Sequence, residues 1–359
     1  MSQLVKNLLC SYVKALQPYQ SARRLYSGGQ DWLNANESPF ANDYQLDSSK
    51  LNRYPSCQPS SVINAYASYA GVKPEETLVS RGADEGIELL VRAFCEPGKD
   101  SVLICPPTYG MYAISAQTFN VGVEQVALND DFSLNTDAMC ALVGKVKVVF
   151  ICSPNNPTGT DVPAAQIEKV LNAFADSAIV VVDEAYIEFS SAQSWASKLA
   201  QYPNLVVLRT LSKAFALAGI RCGFTLASAE IIQALLKVIA PYPLPEPVAQ
   251  IAAQALTDES ILHIKQQIAI LDQQKGKLLY NLLEMPQFEQ VGDSAANFIL
   301  LRAAQREGLM NYLVSQGILI RDQSKQLNLQ DCLRITVGSD EQNQRLLEAI
   351  QRFYQSEQA

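Results

Sequence analysis

The stretch RTLSKAFALAGIRCGF, residues 209 to 224, puts Lys213 among small apolar neighbours just past a run of valine and leucine. There an ammonium is poorly solvated, its pKa falls, and the neutral amine becomes a nucleophile toward a carbonyl. Taken alone, Ser212-Lys213-Ala214 would be no more than the start of a helix. Thr210 and Ser212 add hydroxyls, and Arg221 follows eight residues after the lysine, so a phosphate can be held beside the amine. A nucleophilic amine next to a phosphate site suggests pyridoxal 5′-phosphate, PLP. Asp183 closes the valine run in VVVDEAYIEF. A carboxylate at that point is costly to bury unless it meets a cation or a strong donor. The pyridinium nitrogen of PLP is such a cation, and an Asp partner keeps it protonated so that the ring withdraws electrons. Strand-end carboxylates also ligate magnesium, and the motif by itself does not choose.

Three further clusters could complete a site. SPNNPTG, 153 to 159, is a loop shaped by two prolines and a glycine, with Asn155 and Asn156 as amide donors; as a bare turn it would carry no function. RGADEGIELL, 81 to 90, reads as strand end, glycine turn and helix. The free N–H groups of Ala83 and Asp84 at such a helix start can bind an anion, while the Asp84 side chain could simply cap the helix. Tyr109 follows two prolines in CPPTYG, directed either onto a flat cofactor or into a core.

The elements that must position these residues are legible as alternating apolar runs. Strands are expected at Leu78–Arg81, Ser101–Cys105, Gly122–Val126, Val146–Cys152, Ile179–Asp183, Leu205–Arg209 and Cys222–Leu226. Helices are expected at Asp84–Cys95, Tyr109–Phe119, Thr136–Val143 and Pro163–Phe174, the last with Pro in its first turn. Continuous apolar strands separated by helices imply an α/β fold, a mostly parallel seven-stranded sheet covered on both faces. Ligands of such sheets lie beyond the strand C-termini. The clusters RGADE, CPPTY, SPNNPTG, DEAY and RTLSK all fall there.

The proline-rich APYPLPEP, 240 to 247, breaks the alternation, and a long amphipathic helical region runs from it to about Leu283. Strands follow around Phe298–Leu301, Ile318–Ile320 and Cys332–Thr336. The chain thus divides into an N-terminal arm (1–30), a large domain (31–245) and a smaller α+β domain (246–359). The arm, one short amphipathic helix, is expected to pack on the small domain or on a partner.

Composition limits the alternatives. With 359 residues, 48% of them AVILMFWYC and 18% DEKR, the chain can bury a large core. Its 28 Lys and Arg against 36 Asp and Glu leave a net charge of −8, unlike a general nucleic-acid binder. No apolar run exceeds six residues, against about 20 for a membrane span. The eight cysteines form no C-x-x-C pair and lie mostly in apolar runs, as small hydrophobes in a reducing compartment. A single histidine, His263, in the polar stretch ILHIKQQ, rules out a histidine-rich metal centre. No G-x-x-x-x-G-K-[ST] occurs, which disfavours a P-loop enzyme.

In the order GADE, PPTY, SPNNPTG, DEAY, TLSKAFALAGIRCG, the chain resembles the fold-type I PLP aminotransferases. Through LNANE, LNRYPS, RGADEGIELLVRAFCEPGKD, PPTYGMY, VIAPYPL and CLRITVG it resembles the histidinol-phosphate aminotransferase family, from about Tyr19 to Val337. The departures are Ser38, where relatives commonly have tyrosine, and a slightly longer tail.

The resemblance implies a role for each matched residue. Lys213 would bond the cofactor aldehyde and later shuttle the proton; Asp183 would pair with the ring nitrogen. Asn156 and Tyr186 would bond the ring's 3-oxygen, and Tyr109 would stack on the ring. The N–H groups of Ala83 and Asp84, with Thr210, Ser212 and Arg221, would hold the phosphate. Tyr54 would reach the phosphate in the neighbouring subunit, making a homodimer with shared sites. Tyr19, Arg321 and Arg334 would face substrate. The implied reaction is transamination of L-histidinol phosphate with 2-oxoglutarate in histidine biosynthesis, in the cytoplasm. An aromatic amino acid aminotransferase, a PLP decarboxylase of a phosphorylated amino acid, and a non-catalytic PLP-binding regulator remain as rivals. Retention of Lys213, Asp183 and Arg334 together, with no basic DNA-binding appendage, argues against the last.

Overall fold

The computed structural model describes residues 2–18 and 28–356. Thirteen strands are present among them: β1 Asp31–Trp32, β2 Thr77–Ser80, β3 Ser101–Ile104, β4 Gly122–Gln125, β5 Val148–Cys152, β6 Ile179–Asp183, β7 Leu205–Thr210, β8 Gly223–Ala227, β9 Phe288–Gln290, β10 Phe298–Ala303, β11 Ile318–Leu319, β12 Arg321–Asp322 and β13 Cys332–Thr336. The principal sheet has seven strands in the order β2-β8-β7-β6-β5-β3-β4. The β-branched runs VVFIC, IVVVD and LVVLRT form its centre and are buried almost throughout, as expected for a sheet covered on both faces. All its pairings are parallel except those of β8, which runs antiparallel to both β7 and β2. The reason is local. The segment 211–222 between β7 and β8 forms no α-helix, only the 3-10 turn Ala218–Ile220, so no helical crossover carries the chain back and β8 returns antiparallel beside β7.

A second sheet, antiparallel in the order β12-β13-β10-β9, lies in the C-terminal part. Strand alternation sorts its side chains. Leu333 and Ile335 of β13 join Leu309, Leu346 and Ile350 in a core beneath the helices Arg306–Ser315 and Asp340–Ser356. Arg334 and Thr336 consequently point the other way. Strand β1 pairs in parallel with β11, so residues 31 and 32 are tied to the C-terminal sheet region. The helical region after the prolines is two helices, Glu246–Ala255 and Asp258–Leu283, separated where Thr257 caps the second by accepting from the Ser260 N–H. The chain passes between cores inside that second helix: Ile264 and Leu271 pack with the seven-stranded sheet, Leu278 and Leu282 with the C-terminal one.

Several expected boundaries move. The N-terminal amphipathic helix is two short ones, Gln3–Leu8 and Ser11–Ala15, because Leu9 and Cys10 are extended. Within the chain, Tyr12 and residues 15–18 lie beside Ile114, Gln117 and Thr118 of the helix Met111–Thr118, while the arm's last residues meet the small domain, the Gln30 N–H donating to the Gly317 carbonyl at 2.7 Å. Pro163 is the cap of its helix, which runs Ala164–Ala173. All eight cysteines are free, and five are buried. No described helix is long and apolar enough to cross a membrane.

Candidate active site

The C-terminal ends of β5, β6 and β7 open on a cavity of about 530 Å³ that the C-terminal sheet closes from the side. Lys213 enters it from the turn after β7, with Nζ donating to the Ala35 carbonyl at 2.9 Å. Burial pushes its pKa down to about 8, and the Arg334 charge adds to that, while Glu37 and Asp84 oppose it. An amine so poised is still mostly protonated near pH 7, but about a tenth of it is neutral, far more than for an ordinary lysine. Asp183 is the last residue of β6 and only 3% exposed. Its Oδ2 accepts from the Tyr112 hydroxyl at 2.7 Å and its Oδ1 from the Ala185 N–H at 3.1 Å. Burial nevertheless pushes the carboxyl up to about 6, and among the described residues no cation pairs with it.

One wall is an anion cup. Gly82, at φ +82°, turns the chain into the helix Ala83–Phe94, whose first N–H groups have no acceptor within the helix. A Cβ on Gly82 would come within 2.7 Å of the Arg221 guanidinium, and one on Gly223 would collide with the Ala83 nitrogen. Both glycines are therefore needed for β8, Arg221 and the helix start to meet. Arg221, left-handed at φ +55°, donates from Nη1 to Ser212 Oγ at 3.2 Å and from Nη2 to Asp84 Oδ2 at 3.3 Å. Thr210 Oγ1 accepts from the Ser212 N–H at 3.1 Å. Ala83, Asp84, Thr210, Ser212 and Arg221 thus form one cluster.

The opposite wall is built by two loops that Asn155 ties together. Thr108 Oγ1 donates to Asn155 Oδ1 at 2.8 Å, and Asn155 Nδ2 donates to the Pro107 carbonyl at 3.0 Å and to Thr158 Oγ1 at 2.9 Å. This leaves Asn156 facing the cavity. Tyr109 is held by its hydroxyl, which donates to Asp84 Oδ1 at 2.9 Å, and by an edge contact with Tyr112. The Tyr186 hydroxyl accepts from Asn36 Nδ2 at 2.9 Å; burial raises its pKa.

The C-terminal sheet contributes the guanidiniums. Arg321 of β12 and Arg334 of β13 are direct cross-strand partners. Arg334 donates from Nη2 to the Asn34 carbonyl at 2.9 Å and from Nη1 to Asn156 Oδ1. Its guanidinium also lies over the Phe298 ring, 5.3 Å from the centroid.

Ala83, Asp84, Tyr109, Asn156, Asp183, Tyr186, Thr210, Ser212, Lys213, Arg221, Arg321 and Arg334 all line this single cavity. Tyr54 does not; it is 81% exposed and stacks on Tyr242. Tyr19 lies outside the described residues. Asn34, Ala35, Asn36 and Glu37 also line the cavity, with Gln323 and Gln326, and the sequence reading gave them no role. LNANE was visible as a motif but too short and too distant from Lys213 to be assigned. Gln323 and Gln326 carry no sequence signal.

These residues fit PLP on grounds internal to the structure. A buried carboxylate without a cation matches the ring nitrogen, and an open helix start with two hydroxyls and a guanidinium matches the phosphate. Asn34 Oδ1 is buried in the cavity lining with no hydrogen-bond partner, leaving an acceptor for a bound group.

Comparison with known proteins agrees with that geometry. The aminotransferase class I and II family matches residues 26–350. A histidinol-phosphate aminotransferase of Pseudoalteromonas atlantica is 65% identical over 99% of this chain and 96% of its own. That of Escherichia coli K12 is 54% identical over 96% of this chain and 97% of its own. In fold, the chain resembles a histidinol-phosphate aminotransferase of Sinorhizobium meliloti solved in complex with pyridoxal-5'-phosphate. The TM-score is 0.84 at 22% identity, covering 97% of this chain and 98% of that one.

Proposed function

The chain belongs to the class I and II aminotransferases, among the histidinol-phosphate aminotransferases, and from that premise we propose that it transaminates L-histidinol phosphate with 2-oxoglutarate, using PLP and yielding imidazole acetol phosphate and L-glutamate. This is a step of histidine biosynthesis, and we place it in the cytoplasm. The observation that carries the reading is the convergence of Lys213, Asp183, the anion cup and the two cross-strand arginines on one cavity.

When bound, PLP supplies an aldehyde that takes up the amino group and a ring that withdraws electrons from the substrate's Cα. Lys213 would hold the aldehyde and afterwards carry the Cα proton on Nζ, a task suited to an amine with a pKa near 8. Asp183 would keep the ring nitrogen protonated, with Tyr112 and the Ala185 N–H fixing its carboxylate. With Asn156 Oδ1 taken by Arg334, the amide NH2 of Asn156 is the end left for the ring oxygen, beside Tyr186. Tyr109 would cover the ring. The phosphate would rest on the Ala83 and Asp84 N–H groups, Thr210, Ser212 and Arg221.

Histidinol phosphate has no α-carboxylate; its phosphate is esterified to the CH2 that stands where glutamate has its α-carboxylate carbon. A guanidinium fork can donate to either oxygen pair, so Arg334 would read the anion common to both substrates. Arg321, with Tyr19, would add donors for the dianionic phosphate. The working unit would be a homodimer in which Tyr54 reaches the partner's cofactor phosphate. Residues 1–30, 31–245 and 246–359 would be the arm, large domain and small domain. The second boundary follows the proline-rich segment rather than the cores, since Ala249 and Ala252 pack with the large sheet.

An absorption spectrum of the purified protein tests the reaction. The PLP band should shift to the amine form on adding L-histidinol phosphate and return on adding 2-oxoglutarate. A shift with aromatic amino acids but none with histidinol phosphate would overturn the substrate assignment.

A further inference from the structure

Residues 40–47 have no regular secondary structure, so their backbone groups need partners elsewhere. They find them on two glutamine side chains. The Gln45 N–H donates to Gln254 Oε1 at 3.0 Å, and Gln254 Nε2 donates back to the Gln45 carbonyl at 2.8 Å. The Asp47 N–H donates to Gln250 Oε1 at 2.8 Å, and Gln250 Nε2 donates to the Asp47 carbonyl at 3.2 Å. Each amide supplies both halves of a β-bridge to one residue. The spacings agree: two extended residues rise about 6.7 Å and four helical ones about 6 Å.

Downstream of this ladder the strap stays fixed. Asp47 Oδ1 accepts from the Ser49 N–H at 2.9 Å and so caps the 3-10 turn Ser48–Lys50. The Tyr54 ring stacks on Tyr242, with centroids 4.5 Å apart and planes at 14°. Cys57 Sγ donates to the Ala240 carbonyl at 3.8 Å. Read along the chain, 45 meets 254, 47 meets 250, 54 meets 242 and 57 meets 240, an antiparallel docking of the strap on the proline-rich segment and the helix Glu246–Ala255 that follows it. Tyr54 stands out between these anchors. Among the described residues its hydroxyl takes no hydrogen bond, which leaves that group for a partner molecule.

We propose that Gln250, Gln254 and Tyr242 are positioning residues that hold Tyr54 in the outward orientation in which it meets the partner subunit's cofactor phosphate. The proposal rests on the reading of Tyr54 given above. Ordering an exposed side chain before it binds removes part of the entropy cost of the contact.

The test is PLP affinity, measured by absorbance titration of the cofactor-free dimer. The variants are Tyr54→Phe, the double variant Gln250→Met with Gln254→Met, Tyr242→Leu and Tyr242→Phe, the last three also in a Tyr54→Phe background. Tyr54→Phe keeps the stack, removes the hydroxyl, and should weaken binding about tenfold. The glutamine pair and Tyr242→Leu should each weaken it about three- to tenfold in the native background and less than about twofold beside Tyr54→Phe. Tyr242→Phe, which keeps the stack, should bind as the native protein does. Native affinity in the glutamine and Tyr242→Leu variants, with Tyr54→Phe weakened, overturns the positioning role and spares the reading of Tyr54. Equal weakening in both backgrounds also overturns it, since the effect would then not pass through Tyr54. An unchanged Tyr54→Phe removes the reading itself, and the positioning role with it.

Discussion

The two sides of the cavity are held by different means. On the seven-stranded sheet, the candidate residues stand at strand ends and in the turns and helix start just past them: Gly82 and Gly223 allow the anion cup to close, and the Asn155 side chain pins two loops together. On the C-terminal sheet, Arg321 and Arg334 stand inside strands, opposite each other by register, with Arg334 secured through Asn34 and Asn156. The glycine-shaped turns there do not depend on any one polar side chain. The arginine wall depends on individual guanidiniums, so changes there should act first on anion recognition and, through the Arg334 charge, to a smaller extent on Lys213.

The largest effect should come from Asp183→Asn, which changes the chemistry while leaving the loop geometry in place. Single-turnover proton removal at Cα should slow by about 10²–10⁴-fold. The cofactor-free protein should respond in the opposite sense. The folded carboxyl is held up at about 6 against an ordinary value of 3.8, so its ionised form destabilises the fold, fully above pH 6 and not at all below about 4. An amide carries no such charge, and Asp183→Asn should gain about 1–3 kcal/mol at pH 8 and almost nothing at pH 4. Urea melts at the two pH values check this; a loss at pH 8 would mean that the carboxylate supports the cofactor-free fold.

Next in size, the arginine wall should separate the two substrates. Arg334→Lys should lower kcat/KM of both half-reactions by roughly ten- to a hundredfold, while Arg321→Ala should harm histidinol phosphate more than an amino acid with a neutral side chain. Stopped-flow measurement of each half-reaction decides this. Small, equal losses on every substrate would assign the arginines to structure and erase the contrast between the walls.

The smallest effect sharpens how the walls communicate. PLP capture by the cofactor-free protein should rise with pH through a midpoint of about 8, where Lys213 becomes neutral. Arg334 favours that neutral form, so Arg334→Leu should move the midpoint upward, by about one unit or less. A midpoint that stays in place would show that the amine does not feel the arginine.

Much of the cofactor wall was legible because its signals are contiguous. The expected strand Ile179–Asp183 agrees to the residue, and RGADE, SPNNPTG and RTLSK each announce a turn through glycine, proline or hydroxyl spacing. Less of the arginine wall could be read. Arg321 lies in a two-residue strand, too short to leave a periodic trace, and Gln323 and Gln326 follow in irregular chain. The N-terminal residues posed another difficulty. Asn36 bonds Tyr186 across 150 positions, a contact that local propensity does not encode.

By itself the sequence determined what short-range physics can decide: which runs are buried strands, where each ends, and which chemistry stands at each end. Turn residues and β-branched runs act over a few neighbours, so their consequences can be read in place. The tertiary structure alone decided which distant pieces meet. Arg321 faces Arg334, Lys213 bonds the Ala35 carbonyl, and Gln250 and Gln254 grip residues 45 and 47, which lie some two hundred positions earlier. Such pairings depend on strand register and on burial summed over whole elements. A shift of one residue in β13 would turn Arg334 into the hydrophobic core and Leu333 toward the cavity, and the choice between those states is made by every contact of the sheet together.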